Sequence, residues 1–447
     1  MLSNSLAQSA LDHCIFPMID AAEVHRTGPM VFLEGKGLSL TTAEGKTIKD
    51  MISSHTRANS LGYGNTEIAE AYATQAAKMH YGGTANFTSE PMIRLAETIA
   101  DLAPGDLSRV FFVSGGSEAV ESALKIAKQY QQGSGNKPKA YKVISRWNAY
   151  HGATMGALSV TDWLSVADVS DPRVPGASFI PNPQCYRNEF GMDPDAYFDL
   201  CADYLEAQIK FEDPDLVAAF IAEPVMQANG VQIAPKRYFE RVREICTKYG
   251  VLLIIDEVIC GFGRTGKWFA NRHYDVEPDI MTTAKALTAG YAPMGAVVTT
   301  PAIADAIAHF RHVHTFSGHA ACAAAALAVI AIKQREGLVD KALANGVYFQ
   351  DALKKTILPL PIVGDVRGLG HWHAVDFTTD KATKAAFADG TVKAVADRMF
   401  ELGVLVGIAG TAIEIAPPLI ATPADIDETV AVMETAINDV VARRNLA

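Results

Sequence analysis

The chain has 447 residues, 49% of them apolar and 20% charged, with a formal net charge of −11. Such a composition excludes disorder as the main theme and supplies one large core or two smaller ones. The acidic balance disfavours a nucleic-acid surface, and the longest apolar run, the 13 residues 320–332, is shorter than the roughly 20 that cross a membrane as a helix.

No basic residue precedes Arg26, so no secretory signal is expected. The six cysteines, Cys14, Cys185, Cys201, Cys246, Cys260 and Cys322, form no C-x-x-C pair and read as reduced thiols. The expectations are a cytoplasmic protein with no metal, no nucleic-acid partner and no membrane partner.

Along the chain, short β-branched runs alternate with longer amphipathic ones, the pattern of a sheet with crossover helices. Residues 110–113 (VFFV), 143–145 (VIS), 217–222 (VAAFIA), 251–255 (VLLII) and 280–283 (IMTT) are apolar enough for strands buried on both faces of a parallel sheet. Between the first two, residues 118–130 read as a helix: Ala119, Ala123, Leu124 and Ala127 share a face. Glu118 and Glu121 sit near its start and Lys125 and Lys128 near its end, matching the helix dipole. Beyond about residue 335, helices mix with short strands at 374–377 and 413–415, and residues 425–443 close the chain as an amphipathic helix. The expected class is α/β, with a large, mainly parallel domain over 56–335 and a smaller α+β domain from 1–55 and 336–447.

Four of these strands run almost directly into a polar residue: Ser114, Glu223, Asp256 and Lys285. In an open parallel sheet, ligands gather outside the carboxyl ends of the strands. One polar residue there is ordinary loop chemistry, but four make a pattern. Ser114-Gly115-Gly116-Ser117-Glu118 places two glycines before a helix start, which suits a phosphate held on backbone amides. The plain alternative is a turn with Ser117 as helix cap. The lysine of a nucleotide-binding P-loop is missing.

Asp256 ends the most apolar strand, so it needs a buried cationic partner or several donors. The Gly261–Gly266 stretch formally fits G-x-G-x-x-G, yet no amphipathic helix follows and the acidic residue precedes the glycines, against a dinucleotide site. Lys285 follows small and apolar residues, where lost hydration lowers an amine's pKa and makes it a nucleophile for a carbonyl. A phosphate cradle, a buried carboxylate and a desolvated lysine together suit pyridoxal phosphate: Lys285 for the Schiff base, Asp256 to keep the pyridine nitrogen protonated. Tyr150 can stack on one face of such a ring and Val258 press on the other.

The ordered set SGGSEAVESALKIAK, AYHGAT, AEPV, IIDEVICGFGRTG, PDIMTTAKALTAG, HTFSGH, DVRGLG and APPL resembles the class III pyridoxal-phosphate aminotransferases over most of the chain. The resemblance implies fold type I and a homodimer with active sites shared between subunits. It implies catalytic roles for Lys285 and Asp256, and cofactor contacts from Gly116, Ser117, Tyr150, Val258 and a supporting Glu223. Thr315 resembles the threonine that reaches the phosphate from the neighbouring subunit. The implied activity is ping-pong transfer of an amino group from a primary amine or ω-amino compound to a 2-oxo acid such as pyruvate. Aminomutases, racemases and some decarboxylases of the family share the machinery and are the alternative.

The chain also departs from the family. Many relatives bind a substrate carboxylate with an arginine at the position of Gly407 or of Glu414, and ornithine-type enzymes pair it with a glutamate where this chain has Ala228. Arg57 stands roughly where a tryptophan is common, and is expected to bind a carboxylate or sulfonate of the substrate. The alternatives are a surface arginine packed along its stem, and a Glu414 that favours a second amine on the donor.

Overall fold

The computed structural model describes residues 2–446 except Gly135, residues 164–169, Cys185 and Glu189, with the backbone alone for residues 2–4. Near the amino end lie three short antiparallel strands, β1 (Phe32–Lys36), β2 (Ser39–Thr42) and β3 (Thr47–Asp50). The middle of the chain contributes β4 (Arg109–Val113), β5 (Lys142–Arg146), β6 (Ala177–Ile180), β7 (Val217–Ala222), β8 (Leu252–Asp256), β9 (Ile280–Thr283) and β10 (Gly295–Thr299). The last part adds β11 (Val363–Gly368), β12 (His373–Phe377), β13 (Val404–Leu405), β14 (Gly407–Ala409) and β15 (Ala412–Ile415).

The seven middle strands form one sheet in the order β4-β10-β9-β8-β7-β5-β6. Only β10 runs against its neighbours, so β4 and β9 on either side of it point the same way as the rest. All five expected strands are present, those at 217–222 and 280–283 residue for residue. Two further strands, β6 and β10, were not anticipated. Each is a short run (ASFI, GAVVT) too brief for its period to identify it, and β10, an antiparallel neighbour, needs no crossover helix to announce it.

Burial on both faces explains why these strands are nearly continuous apolar runs. On one face Ile254 and Ile221 pack with Val120, Ala123 and Ala127 of the Gly116–Gly133 helix. On the other, Leu253, Ile255 and Phe220 pack with Leu205 of the Pro194–Phe211 helix and with Phe239 and Val242 of the Lys236–Tyr249 helix. The helix expected at 118–130 therefore starts two residues earlier, at the double glycine.

The last strands form a second sheet, β11-β12-β15-β14, while β13 joins β3 in parallel and extends β1-β2-β3 to four strands. The closing helix spans Pro423–Arg444 and begins with a reciprocal cap between Thr422 and Asp425. No helix among the described residues is long and apolar enough to cross a membrane. Cys14, Cys246, Cys260 and Cys322 carry no disulfide, and Cys185 lies outside the described residues.

Candidate active site

Because β4, β7, β8 and β9 run the same way, their carboxyl ends meet at one edge of the sheet. There they border a cavity of about 410 Å³. Gly116, Ser117, Tyr150, Glu223, Asp256, Val258, Lys285 and Arg57 all line it. Thr315 does not. It is exposed, and its carbonyl accepts a hydrogen bond from Tyr81 at 2.8 Å.

Lys285 opens a short 3₁₀ turn, Lys285–Leu287, with its backbone in the left-handed region at φ +43°. Burial pushes its amine down to about 7, the positive charge of Arg57 adds to the effect, and Asp256 opposes it. A free amine near neutral pH is what a carbonyl acceptor requires.

Asp256, 4% exposed, has several donors around it. Its Oδ1 accepts from the Val258 amide at 3.0 Å and from Thr282 Oγ1 at 2.9 Å, and Oδ2 lies 2.7 Å from His151 Nδ1. The partner that the buried carboxylate demanded is thus, within the chain, an imidazole that sequence reasoning passed over inside Tyr150-His151-Gly152. His151 Nε2 has no hydrogen-bond partner among the described residues and sits 3.9 Å from Glu223 Oε2.

Glu223 is held by Arg146, the last residue of β5 and only 1% exposed, which sequence reasoning also missed. Arg146 Nη2 donates to the Glu223 carbonyl at 2.7 Å and to Oε2 at 3.1 Å. The remaining oxygen, Oε1, accepts from the Tyr150 amide at 3.3 Å, so the glutamate fixes the backbone that presents the tyrosine. Trp163 braces the Tyr150 ring edge to face, 5.6 Å between centroids at 86°.

The Gly116–Gly133 helix points its amino terminus at the cavity, and no side chain caps it. Ser117 is not the cap: it lies in the first turn, and its Oγ accepts from the Ala153 amide at 3.2 Å. A Cβ on Gly116 would come within 2.7 Å of Val258 Cγ1, and one on Gly152 within 2.6 Å of Ser117 Oγ. These contacts require both glycines if Val258 and Ser117 are to stay where they are.

Arg57 is not a surface arginine, being 6% exposed. Its Nε donates to Glu414 Oε1 at 2.7 Å, Nη2 is hydrogen-bonded to Oε2, and Trp372 Nε1 also donates to Oε1. The Gln227 carbonyl oxygen, oriented towards the guanidinium, accepts from Nη1 at 3.2 Å. Arg57 and Glu414, separate candidates in the sequence, are bonded to each other. The glycine-rich segment after β8 is likewise structural: Arg264 donates to the His371 carbonyl at 2.9 Å and to Ser53 Oγ at 3.0 Å.

The family profile described as aminotransferase class-III matches residues 21–437. The chain belongs to the class III aminotransferase family. A probable aminotransferase of Mycobacterium tuberculosis is 40% identical over 420 residues, 92% of this chain and 90% of its own. The taurine–pyruvate aminotransferase of Bilophila wadsworthia is 38% identical over 429 residues, 92% of this chain and 93% of its own. Among solved structures, the omega transaminase from Pseudomonas jessenii in complex with PMP superposes with a TM-score of 0.93 at 32% identity, covering 98% of each chain. The protein is therefore a transaminase of fold type I that moves an amino group from an amine to a 2-oxo acid.

Class III aminotransferases depend on pyridoxal phosphate. The residues around this cavity fit that group: an amine near neutrality, a carboxylate ringed by donors, and an uncapped helix terminus suited to a dianion.

Proposed function

We propose that this aminotransferase binds pyridoxal phosphate on Lys285 and passes the amino group of a primary amine or ω-amino compound to pyruvate or a similar 2-oxo acid. The observation that carries this reading is the meeting of Lys285, Asp256 and the uncapped helix terminus at Gly116 in one cavity, where burial pushes the lysine amine down. When bound, the cofactor supplies an aldehyde that condenses with amines and a ring that accepts the electrons of the bond being broken.

The chain's own groups do the rest. Lys285 would hold the aldehyde of the bound group, and its Nζ would serve as the base that moves a proton during transfer. Asp256, kept in place by His151, Thr282 and the Val258 amide, would hold the proton of the pyridine nitrogen. Tyr150 and Val258 would press on the two faces of the ring, and the amides of Gly116 and Ser117 would take the phosphate. Glu223 acts through the Tyr150 backbone it fixes. Borohydride reduction of the holoenzyme followed by peptide mass spectrometry is expected to find the reduced adduct on Lys285, and pyruvate with an amine donor is expected to give alanine. An adduct on another residue, or none, overturns the assignment.

Arg57 is our choice for the substrate's acid group. Glu414 occupies Nε and Nη2, which leaves the second hydrogen of Nη1 for a carboxylate or a sulfonate, such as that of the donor named for the Bilophila relative. An Arg57→Ala enzyme with unchanged KM for every acidic substrate sinks this assignment.

The exposed Thr315 is flanked by Val313, 68% exposed, and Phe316, 57% exposed, a surface suited to a second copy. We therefore read the enzyme as a homodimer in which Thr315 completes the neighbour's phosphate site. Mixing Thr315→Ala and Lys285→Ala chains tests it, since only shared sites alter the activity recovered per hybrid. The pairing of β13 with β3 supports a small domain from 1–55 and 336–447 beside a cofactor domain over 56–335. A cytoplasmic location completes the proposal and is checked by fractionation.

A further inference from the structure

One wall of the cavity stands on unusual backbone. Ser53, Ser54, His55 and Arg57 all have positive φ, from 49° to 66°, although none is glycine. Each left-handed residue costs roughly 1–2 kcal/mol, so a run of them persists only where the surroundings over-determine it. The segment carries His55, Thr56 and Arg57, all three of which line the cavity.

What holds it is Asp50, the last residue of β3, fully buried at 0% exposure and without an ion-pair partner among the described residues. Its carboxylate is satisfied by donors instead. Oδ1 accepts from the Ile52 amide at 3.0 Å, and Oδ2 from the Ser54 amide at 2.7 Å, Ser54 Oγ at 3.2 Å and Tyr63 Oη at 2.7 Å. Tyr63 is in turn fixed to the β1–β2 turn through its backbone bonds with Gly37 at 2.9 and 3.0 Å. A second anchor, Ser53 Oγ, donates to the Ala416 carbonyl at 2.7 Å. Two amides two residues apart can point at one carboxylate only if the chain between them coils tightly. The aspartate therefore braces the coiled segment through its Ile52 and Ser54 amides.

We propose that Asp50 is a positioning residue for substrate: by clamping the 53–57 segment in its left-handed form it sets where Arg57 and His55 meet the donor and acceptor. It does so without touching the cofactor groups. This rests on the function proposed above, because a substrate wall presupposes a substrate at Lys285.

The test is Asp50→Asn in the holoenzyme. An asparagine offers one acceptor oxygen and turns an NH₂ towards donors, so the Ile52 and Ser54 amides are expected to exchange with deuterium about tenfold faster or more. KM for both donor and acceptor is expected to rise about tenfold while borohydride still fixes cofactor on Lys285 in full. Faster amide exchange with unchanged KM overturns the proposal, and so does equal loss of cofactor and of substrate affinity, which would mark a general fold role. Should Asp50→Asn fail to fold, Tyr63→Phe removes one of the four donors. It is expected to raise KM by about two- to threefold, and unchanged KM with loosened amides overturns the proposal equally. Absence of a wild-type adduct refutes the proposed function, whereas amide exchange reads the clamp in either case.

Discussion

The two sides of the cavity are built by opposite means. Asp256 ends a regular strand buried on both faces and owes its position to a backbone the apolar pattern already dictates, and Lys285 follows another such strand by two residues. Across from them, Arg57 hangs from a left-handed segment held by Asp50 and pairs with Glu414, 357 residues away. Groups carried by a regular element inherit its precision, whereas groups carried by strained backbone need a dedicated clamp for theirs.

The contrast can be broken from the cofactor side first. Lys285→Ala is expected to lower transamination by about 10³-fold or more while secondary structure by circular dichroism is unchanged, because the residue carries the proton yet holds nothing else in place. Near-wild-type turnover in that variant contradicts the division of labour described here.

Next in size comes the substrate side. Glu414→Gln leaves the Arg57 guanidinium buried without its carboxylate and is expected to cost about 3–5 kcal/mol in chemical denaturation. Replacing both partners by leucine is expected to cost far less, since both buried charges leave together. Equal losses for the single and the double variant would show that the pair contributes shape and not charge.

A smaller effect is expected at the helix terminus. Gly116→Ala puts a methyl within 2.7 Å of Val258 Cγ1 and is expected to cost about 1–3 kcal/mol, seen as weaker retention of cofactor on dialysis. Trimming the clash with a second change, Val258→Ala, is expected to restore part of it.

The mildest measurement links the two walls. Reaction of the apo-protein's Lys285 with an acylating reagent is expected to rise with pH around a midpoint near 7 and not near 10.5. Arg57→Leu removes one of the causes of that depression, so the midpoint is expected to move upwards. A midpoint that does not move would separate the walls electrically.

The same division decides what the sequence disclosed. Five strands, the helix after the double glycine and most of the cofactor groups followed from hydrophobic period and from which residue ends each run. His151 and Arg146 were missed although both stand in or beside recognised segments, because their roles come from contacts with Asp256 and Glu223 more than 70 residues away. The Arg57–Glu414 bond was missed for the same reason: separation along the chain carries no trace of proximity. Nothing in Ser53-Ser54-His55-Thr56-Arg57 advertises left-handed backbone, since the usual marker, glycine, is absent.

Lys285 itself unites a left-handed φ with an amine stripped of water. Both features disfavour the native fold, and a glycine would relieve both at once. Lys285→Gly should therefore give a catalytically dead protein whose melting temperature exceeds that of the apo wild type, most clearly below pH 7: the cost of the depressed amine builds as pH falls from 10.5 to about 7 and is complete once the folded state too must carry the buried charge. Heat resistance selected alone would favour discarding the very residue on which turnover depends.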